Sequence, residues 1–379
     1  MLAFVLAAGW SLFSAPAAQA VYTERIIQIG IMHGVEKLVV KPEGSFRLLD
    51  MSAGQAHALM SLKDYKVEAD GDGVIFGPYR VSGPVRIAAL VAGGTLTAGT
   101  RRYRCPLVVK PNGNDTLTVI AELGVEEYLL GVLPHEMETN WPLAALKAQA
   151  VVARTFAYHN LGKYKKSGFD LTSDTRSQVY GGVGAESEAV RRAVRETRGE
   201  VLGYKGELLP AFYHACCGGH TADHSVVWGG PPAPKPLRGV KDKYCAAAPL
   251  YRWTVTIPTS DVLAALQSRR MFGGRLRAFQ LGRRDPAGYV RSFEVRIGSE
   301  ETTVRSGDFR AAVGGTFLRS VRLRSARMIR GGVRFDGGGS GHGVGLCQWG
   351  ARLQAEKGRT YEQILDYYFP GATLSVVDE

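Results

Sequence analysis

The residue pattern of the chain changes near residue 115. Before it, short apolar segments such as 26–31 and 85–90 alternate with Gly, Pro and Asp, which is typical of β-strands joined by turns. After it, helical signals appear between further strands, and a segment dense in turn-forming residues, 110–115, separates the two parts. These patterns predict an α+β protein with a β-rich N-terminal region at 21–115 and a mixed α+β domain at 116–379.

Residues 1–20 have the pattern of a signal peptide. An apolar run, 1–10, is followed by Pro16 and by the small-residue triplet at 18–20, which is typical of a cleavage site. The run is shorter than the roughly 20 residues that a bilayer span needs. We therefore predict export to the periplasm, the cell wall or the extracellular medium, with no stable membrane span after cleavage.

The charge of the chain points to an anionic partner. The formal net charge is +12 at pH 7, and residues 1–20 carry none of it. Nucleic acid, anionic lipid and anionic wall polymers are all possible partners of such a surface, and export favours the wall. No zinc-finger spacing or RNA-binding aromatic pattern is present, so no nucleic-acid partner is predicted. The alternative is that the Arg and Lys side chains are simply solvated.

Two helices are predicted around Glu136. The first covers 125–132 and stops before Pro134, because the residue before a proline is pushed out of the helical region. The second covers about 141–159, with Asn140 as its N-cap and Pro142 in its first turn. Glu136 should therefore lie between two helices. Further helices are predicted at 185–197, 260–268 and 347–357.

Five sequence blocks carry a resemblance to a known family. They are YLLGVLPHEM at 128–137, WPLAALKAQAVVART at 141–155, DTRSQVYGG at 174–182, HACCGGHT at 214–221 and GHGVGLCQWGA at 341–351. In this order they resemble the signature blocks of the SpoIID/LytB family. The resemblance covers most of the span from residue 116 to residue 370.

The resemblance implies a peptidoglycan lytic transglycosylase with Glu136 as its catalytic acid. Such an enzyme cleaves the MurNAc–GlcNAc bond without water and leaves a 1,6-anhydro sugar. One carboxyl group can donate and then accept the proton, whereas ordinary glycoside hydrolases use a pair. Apolar neighbours such as Met137 and Trp141 should raise the pKa of this acid. On spacing alone, Glu136 could instead be a capping or solvated acid; Glu138 has no counterpart in the signature and is interpreted as a surface residue.

The same blocks contain candidates for substrate binding. His342 lies between glycines that let a ligand approach the backbone closely, and the resemblance places it in the glycan cleft. The alternative is an exposed histidine in a glycine-rich turn. Five more polar or aromatic residues could contact sugar or could instead stabilise the packing around the site. They are Arg154, Gln178, Tyr180, Gln348 and Trp349.

The cysteines predict a disulfide rather than a metal site. Some family members carry zinc just before the Gln-Val-Tyr sequence of the third block, but here that stretch, 170–177, contains no Cys or His. His214, Cys216, Cys217, His220 and His224, with Cys245 downstream, lack the regular spacing of a structural zinc site. In an oxidising compartment a bridge from Cys217, or from Cys216, to Cys245 is therefore favoured. No metal and no cofactor are predicted.

Three functions remain open from the sequence. The resemblance favours an enzyme acting on peptidoglycan glycan strands whose stem peptides have been removed. A second possibility is a non-catalytic enhancer that binds a wall amidase, and a third is a wall-binding module that acts through its charge. The formation of 1,6-anhydro products by the chain alone would distinguish the first from the other two.

Overall fold

The computed structural model describes residues 24–267 and 274–377. The predicted signal peptide, 1–20, lies outside these residues. Strands dominate up to residue 124, and strands and helices alternate after it, which confirms the α+β class with a β-rich N-terminal region. Within the described ranges no helix combines the length and the apolar character that crossing a bilayer requires.

The N-terminal strands alternate buried and exposed side chains, as half-buried strands do. The strands are β1 (Ile26–Val35), β2 (Lys37–Glu43), β3 (Phe46–Asp50), β4 (Ala56–Leu59), β5 (Tyr65–Asp70), β6 (Gly73–Phe76), β7 (Tyr79–Val81), β8 (Val85–Ala89), β9 (Thr95–Ala98), β10 (Arg101–Tyr103), β11 (Leu107–Pro111) and β12 (Leu117–Gly124). Six of them form one sheet in the order β10-β9-β2-β5-β6-β7.

The chain runs directly from β12 into a helical region. Its elements are α1 (Val125–Glu136), α2 (Leu143–His159), β13 (Leu171–Thr172), α3 (Glu188–Glu196), β14 (Glu200–Tyr204), β15 (Glu207–Leu208), β16 (Tyr213–His214) and α4 (His224–Trp228). A seven-stranded sheet, β13-β1-β12-β11-β8-β3-β4, includes strands from both sides of residue 115. The predicted boundary at 115/116 therefore coincides with the turn of the β11–β12 hairpin inside a continuous sheet.

The first helix is longer than the sequence predicts. α1 continues through Pro134 and ends at Glu136, where the Met137 N–H donates to the carbonyl of Leu133. A proline in the last turn removes only one hydrogen bond, which is why the helix tolerates it there. Glu136 is thus the last residue of a helix and does not lie in the segment between two helices.

The second helix, α2, joins two hydrophobic cores. Ala150, Ala153 and Ala157 pack in the core under the N-terminal sheets, whereas Ala145, Ala148 and Val151 pack in a second core formed with the C-terminal part of the chain. The helix therefore has two buried faces. α2 begins at Leu143, two residues later than predicted, and Asn140 is exposed rather than capping it.

Residues 253–337 contribute a third core of their own. The elements are β17 (Trp253–Pro258), α5 (Thr259–Gln267), β18 (Leu276–Leu281), β19 (Ser292–Ile297), β20 (Glu300–Arg305), α6 (Ser306–Val313), β21 (Leu323–Ile329) and β22 (Gly332–Gly337). They form two antiparallel sheets, β17-β22-β21 and β18-β19-β20.

The C-terminal segment returns to the second core. Its elements are β23 (Leu346–Cys347), α7 (Gln348–Ala355), α8 (Tyr361–Tyr368) and β24 (Thr373–Val376). β23 pairs in parallel with β16, with Tyr213 opposite Leu346 and His214 opposite Cys347. This pairing brings the fourth and fifth sequence blocks side by side, next to the end of α1.

Candidate active site

Glu136 is the acidic residue around which the site is organised. Its Oε1 accepts a hydrogen bond from the Val179 N–H at 3.4 Å, and the Tyr213 hydroxyl donates to the same carboxyl group. Burial raises the pKa of Glu136 above its ordinary value, and these two hydrogen bonds act in the opposite direction. The carboxyl group therefore holds its proton at a higher pH than an exposed glutamate, as a general acid requires.

A chain of buried hydrogen bonds fixes the tyrosine that contacts Glu136. The Tyr128 hydroxyl donates to Gln178 Oε1 at 3.2 Å, and Gln178 Nε2 donates to the Tyr213 hydroxyl at 3.1 Å. Because Tyr213 accepts from Gln178, its own proton is free to point at Glu136. Gln178, predicted to bind substrate, is only 1% exposed and positions Tyr213 instead.

Tyr213 is a residue of this candidate site that the sequence interpretation missed. Tyr213 lies one position before the fourth block, and this proximity to His214 was the one feature of the sequence that could have pointed to it. Its role depends on β16 facing α1, which no local pattern predicts.

His342 is next to Tyr213 in the structure. Its Nδ1 accepts from the Val344 N–H at 3.1 Å, and its ring also hydrogen-bonds the backbone of Tyr213. Burial, with smaller contributions from His214 and Arg310, lowers the pKa of His342 to about 3. The imidazole is therefore neutral at physiological pH and has the Nε2–H tautomer.

An exposed tryptophan, Trp228, packs beside His342. The Trp228 ring lies 5.0 Å from the His342 ring and 4.7 Å from the Phe212 ring, centroid to centroid. Trp228 is 42% exposed, which is high for a tryptophan that packs against several aromatic rings. An exposed aromatic face of this kind suits stacking on a sugar ring, and the sequence interpretation had not singled it out.

Arg154 and Tyr180 are both buried. Arg154 is fully buried and forms two hydrogen bonds with the Glu126 carboxylate, at 2.8 and 2.6 Å. Tyr180 is 3% exposed, packs on Tyr128 and shares a hydrogen bond with the Cys105 thiol. Both side chains are enclosed by protein atoms in this structure, and the substrate contacts predicted for them stay predictions.

Gln348 and Trp349 take different positions. Gln348 is buried and donates to Gln149 Oε1 at 3.4 Å, so it joins α7 to α2 rather than facing a ligand. The Trp349 ring is partly exposed and lies 5.2 Å from the ring of Trp141, with the Arg352 guanidinium 4.8 Å from its centroid. Trp349 also packs in a small apolar cluster with Met137, next to Glu136.

A separate basic cavity lies away from these residues. It has a volume of about 310 Å³ and is lined by Arg252, Arg284 and Arg322 together with Gly218 and Gly219. Arg322 donates to the carbonyls of Ala287 and Gly218, so part of this charge already has a structural role. The lining contains neither Glu136 nor Tyr213.

The predicted disulfide partners are close but not bonded. Cys217 Sγ and Cys245 Sγ are 3.4 Å apart, and both residues are free thiols. The histidines grouped with them in sequence do not join them: His214 Nδ1 hydrogen-bonds the Val344 carbonyl, and His220 Nδ1 that of Thr221.

Comparisons with known proteins identify the family. A family model described as stage II sporulation protein, SpoIID, matches residues 113–204, which include Glu136 and Gln178. An uncharacterized protein of Brachyspira hyodysenteriae is 36% identical over 262 residues, which is 69% of each chain.

Two Bacillus subtilis proteins are also similar. Stage II sporulation protein D is 27% identical over 275 residues, 68% of this chain and 76% of that protein. The amidase enhancer is 29% identical over 296 residues, but the match spans only 40% of that longer protein and 65% of this chain. The order of the five blocks, the matching family model and these relatives together show that the chain belongs to the SpoIID/LytB family.

Proposed function

We propose that the protein is a lytic transglycosylase that cleaves the MurNAc–GlcNAc bonds of peptidoglycan, with Glu136 as both acid and base. The observation that carries the proposal is the environment of this carboxyl group. It is fixed at the end of a helix, its pKa is raised by burial, and it is oriented by the Tyr213 hydroxyl and the Val179 N–H.

Glu136 would act twice in one turnover. It first donates its proton to the glycosidic oxygen, so that the departing sugar leaves as a neutral alcohol. The resulting carboxylate then removes the proton from the C6 hydroxyl of MurNAc, whose oxygen attacks C1 and closes the 1,6-anhydro ring. The Tyr213 hydroxyl stabilises the carboxylate between these two steps and releases it for the second.

The surroundings of Glu136 suit a polysaccharide. The exposed face of Trp228 offers stacking, and the imidazole of His342 beside it is neutral and adds no charge. The net charge of +12 favours binding to an anionic wall. We propose exported, envelope-located action on glycan strands from which stem peptides have been removed.

The test is product analysis. Purified mature protein is incubated with denuded glycan strands and with intact sacculi, and the soluble fragments are identified by mass spectrometry. Fragments ending in 1,6-anhydro-MurNAc are expected from denuded strands. Reducing ends would indicate a hydrolase instead, and the absence of any cleavage would contradict the enzymatic proposal.

A second function is favoured by one observation, the similarity to a protein named amidase enhancer. In that case the chain would bind a wall amidase and increase its activity without cleaving glycan. Adding the protein to a purified N-acetylmuramoyl-L-alanine amidase and measuring released stem peptides separates the two. An increase that survives replacement of Glu136 would support the enhancer.

Replacing Tyr213 by phenylalanine should shift the alkaline limb of the pH–kcat/KM profile to higher pH. The Tyr213 hydroxyl lowers the pKa of Glu136, so its loss raises that pKa and keeps the acid protonated further into the alkaline range. The profile on denuded glycan measures the shift. Tyr128→Phe, one hydrogen bond further away, is the matched control and should shift the limb less. An unchanged or acid-shifted limb for Tyr213→Phe would rule out this role.

Replacing Trp228 by alanine should weaken glycan binding and leave kcat nearly unchanged. An aromatic contact contributes ~0.5–1.5 kcal/mol beyond the area it buries. Affinity should therefore fall roughly two- to tenfold. Sedimentation with sacculi and the KM on soluble strands measure this. Phe317→Ala is a control, because Phe317 is also exposed but belongs to the 253–337 region. Equal losses for both variants would contradict a sugar-stacking role.

A further inference from the structure

Three cysteines and one aspartate converge behind the candidate active site. Cys217 follows β16, Asp242 and Cys245 lie in the loop after α4, and Cys347 ends β23. One ligand atom from each lies within 4.8 Å of all the others. The three cysteines are 0% exposed and Asp242 is 2% exposed, so the group is closed to solvent.

We propose that Cys217, Cys245, Cys347 and Asp242 bind one structural zinc ion. A tetrahedral ion with Zn–S bonds of about 2.3 Å holds its sulfur atoms about 3.8 Å apart. Cys217 Sγ lies 3.4 Å from Cys245 Sγ and 3.2 Å from Asp242 Oδ2, close to that spacing. Three thiolates and a carboxylate suit zinc better than Ca²⁺ or Mg²⁺, which prefer oxygen ligands.

The backbone supplies the hydrogen bonds that thiolates require. The N–H groups of Cys217 and Gly350 point at Cys347 Sγ, at 3.3 and 3.4 Å. The Gly219 N–H points at Cys217 Sγ at 3.4 Å. Cys347 also precedes the first turn of α7, where the helix dipole favours negative charge.

The carboxylate of Asp242 is oriented in the same way. Its Oδ1 accepts from the backbone N–H groups of Tyr244 and Cys245, at 2.8 and 3.3 Å. Its Oδ2, the atom beside Cys217, also accepts from the Tyr368 hydroxyl at 2.9 Å. Such outer contacts orient ligands and tune their basicity in metal sites.

A disulfide explains less of this arrangement. A bond between Cys217 and Cys245 would use two sulfur atoms at about 2.0 Å and leave a third sulfur and a carboxylate buried beside it. A zinc ion uses all four groups and offsets their negative charge. It also explains why Cys347, 130 residues from Cys217, is brought to the same point.

A zinc ion at this position would stabilise two segments that lie beside the candidate active site. Cys217 is four residues beyond Tyr213, and Cys347 lies between the loop that carries His342 and helix α7. A metal here would hold these two segments together beside Glu136. The ion would be structural, because no ligand position is left open for substrate.

The remaining cysteines serve as matched controls. The Cys216 thiol lies alongside the sulfur atoms of Cys245 and Cys347 and is the alternative fourth ligand. Cys105 is buried in the N-terminal core, away from the site. If Asp242 is the fourth ligand, Cys216→Ser and Cys105→Ser should both retain the metal.

The experiment is elemental analysis of the full mature chain, purified without chelators under reducing conditions and also from an oxidising compartment. One zinc per chain is expected from both preparations, with loss in Cys245→Ser, Cys347→Ser and Asp242→Asn. Replacement of zinc by Co²⁺ in the unmutated chain should give thiolate-to-cobalt absorption and tetrahedral d–d bands. This measurement does not depend on variants that could fail to fold.

Two results would overturn the proposal. A metal-free chain with a mapped Cys217–Cys245 bridge in both preparations would support the disulfide instead. Loss of zinc from Cys216→Ser with retention in Asp242→Asn would reject Asp242 as the fourth ligand. Neither result would bear on Glu136, because the readout is metal content.

Discussion

Replacing Glu136 by glutamine should reduce the formation of 1,6-anhydro ends by at least ~10²–10⁴-fold, the usual contribution of general acid–base catalysis. Glutamine keeps the size of the side chain and can still contact the Val179 N–H and the Tyr213 hydroxyl. It has no proton to give to the glycosidic oxygen, and it cannot accept the proton of the C6 hydroxyl. Initial rates on denuded glycan, measured by quantifying anhydro fragments, provide the comparison.

Glu138→Gln is the matched control for this experiment. Glu138 is exposed, and its carboxylate accepts from Trp141 Nε1 at 3.2 Å rather than facing the site. This variant should cleave at nearly the rate of the unmutated protein. The Glu136 variant should still sediment with sacculi, because Trp228, His342 and the basic surface are unchanged. Cleavage at near wild-type rate by Glu136→Gln would show that another group is the acid.

Replacing Arg154 by alanine should lower the free energy of unfolding by about 3–5 kcal/mol, because it removes the guanidinium that neutralises the largely buried Glu126 carboxylate. Arg154 Nε and Nη2 hold both oxygens of Glu126, and Nη1 donates to the Glu200 carbonyl at 3.1 Å. These contacts tie α2 to α1 and to β14. Urea unfolding followed by circular dichroism measures the change.

Two further variants separate this effect from a role in binding. Arg80→Ala removes an exposed ion pair with Asp70 and should cost less than about 1 kcal/mol. Replacing Arg154 and Glu126 together, by methionine and glutamine, should recover part of the stability, since the isolated buried charge is then gone. Unchanged stability with loss of glycan binding in Arg154→Ala would instead restore the sequence-based interpretation of Arg154 as a ligand for substrate.

The amino-acid sequence was sufficient for several conclusions. Turn residues and short apolar runs predicted the β-rich beginning, and alanine, leucine and lysine in 143–159 predicted the helix that the structure has there. The five blocks predicted the family, which the comparisons confirm. These signals are local, because strand and helix periodicity, caps and short motifs are all contained within a few turns of the chain.

The burial and the partners of the side chains in the blocks became visible only in the tertiary structure. Arg154, Tyr180 and Gln348 have the chemistry of binding residues, but their side chains are buried against partners distant in sequence. Tyr213 reaches Glu136 because β16 faces the end of α1, and Cys347 reaches Cys217 because β16 and β23 pair in parallel across more than a hundred residues. Burial and such long-range pairing depend on how all the elements pack together. No periodicity or spacing within one segment carries that information, which is why the family could be predicted from the sequence and the side-chain partners could not.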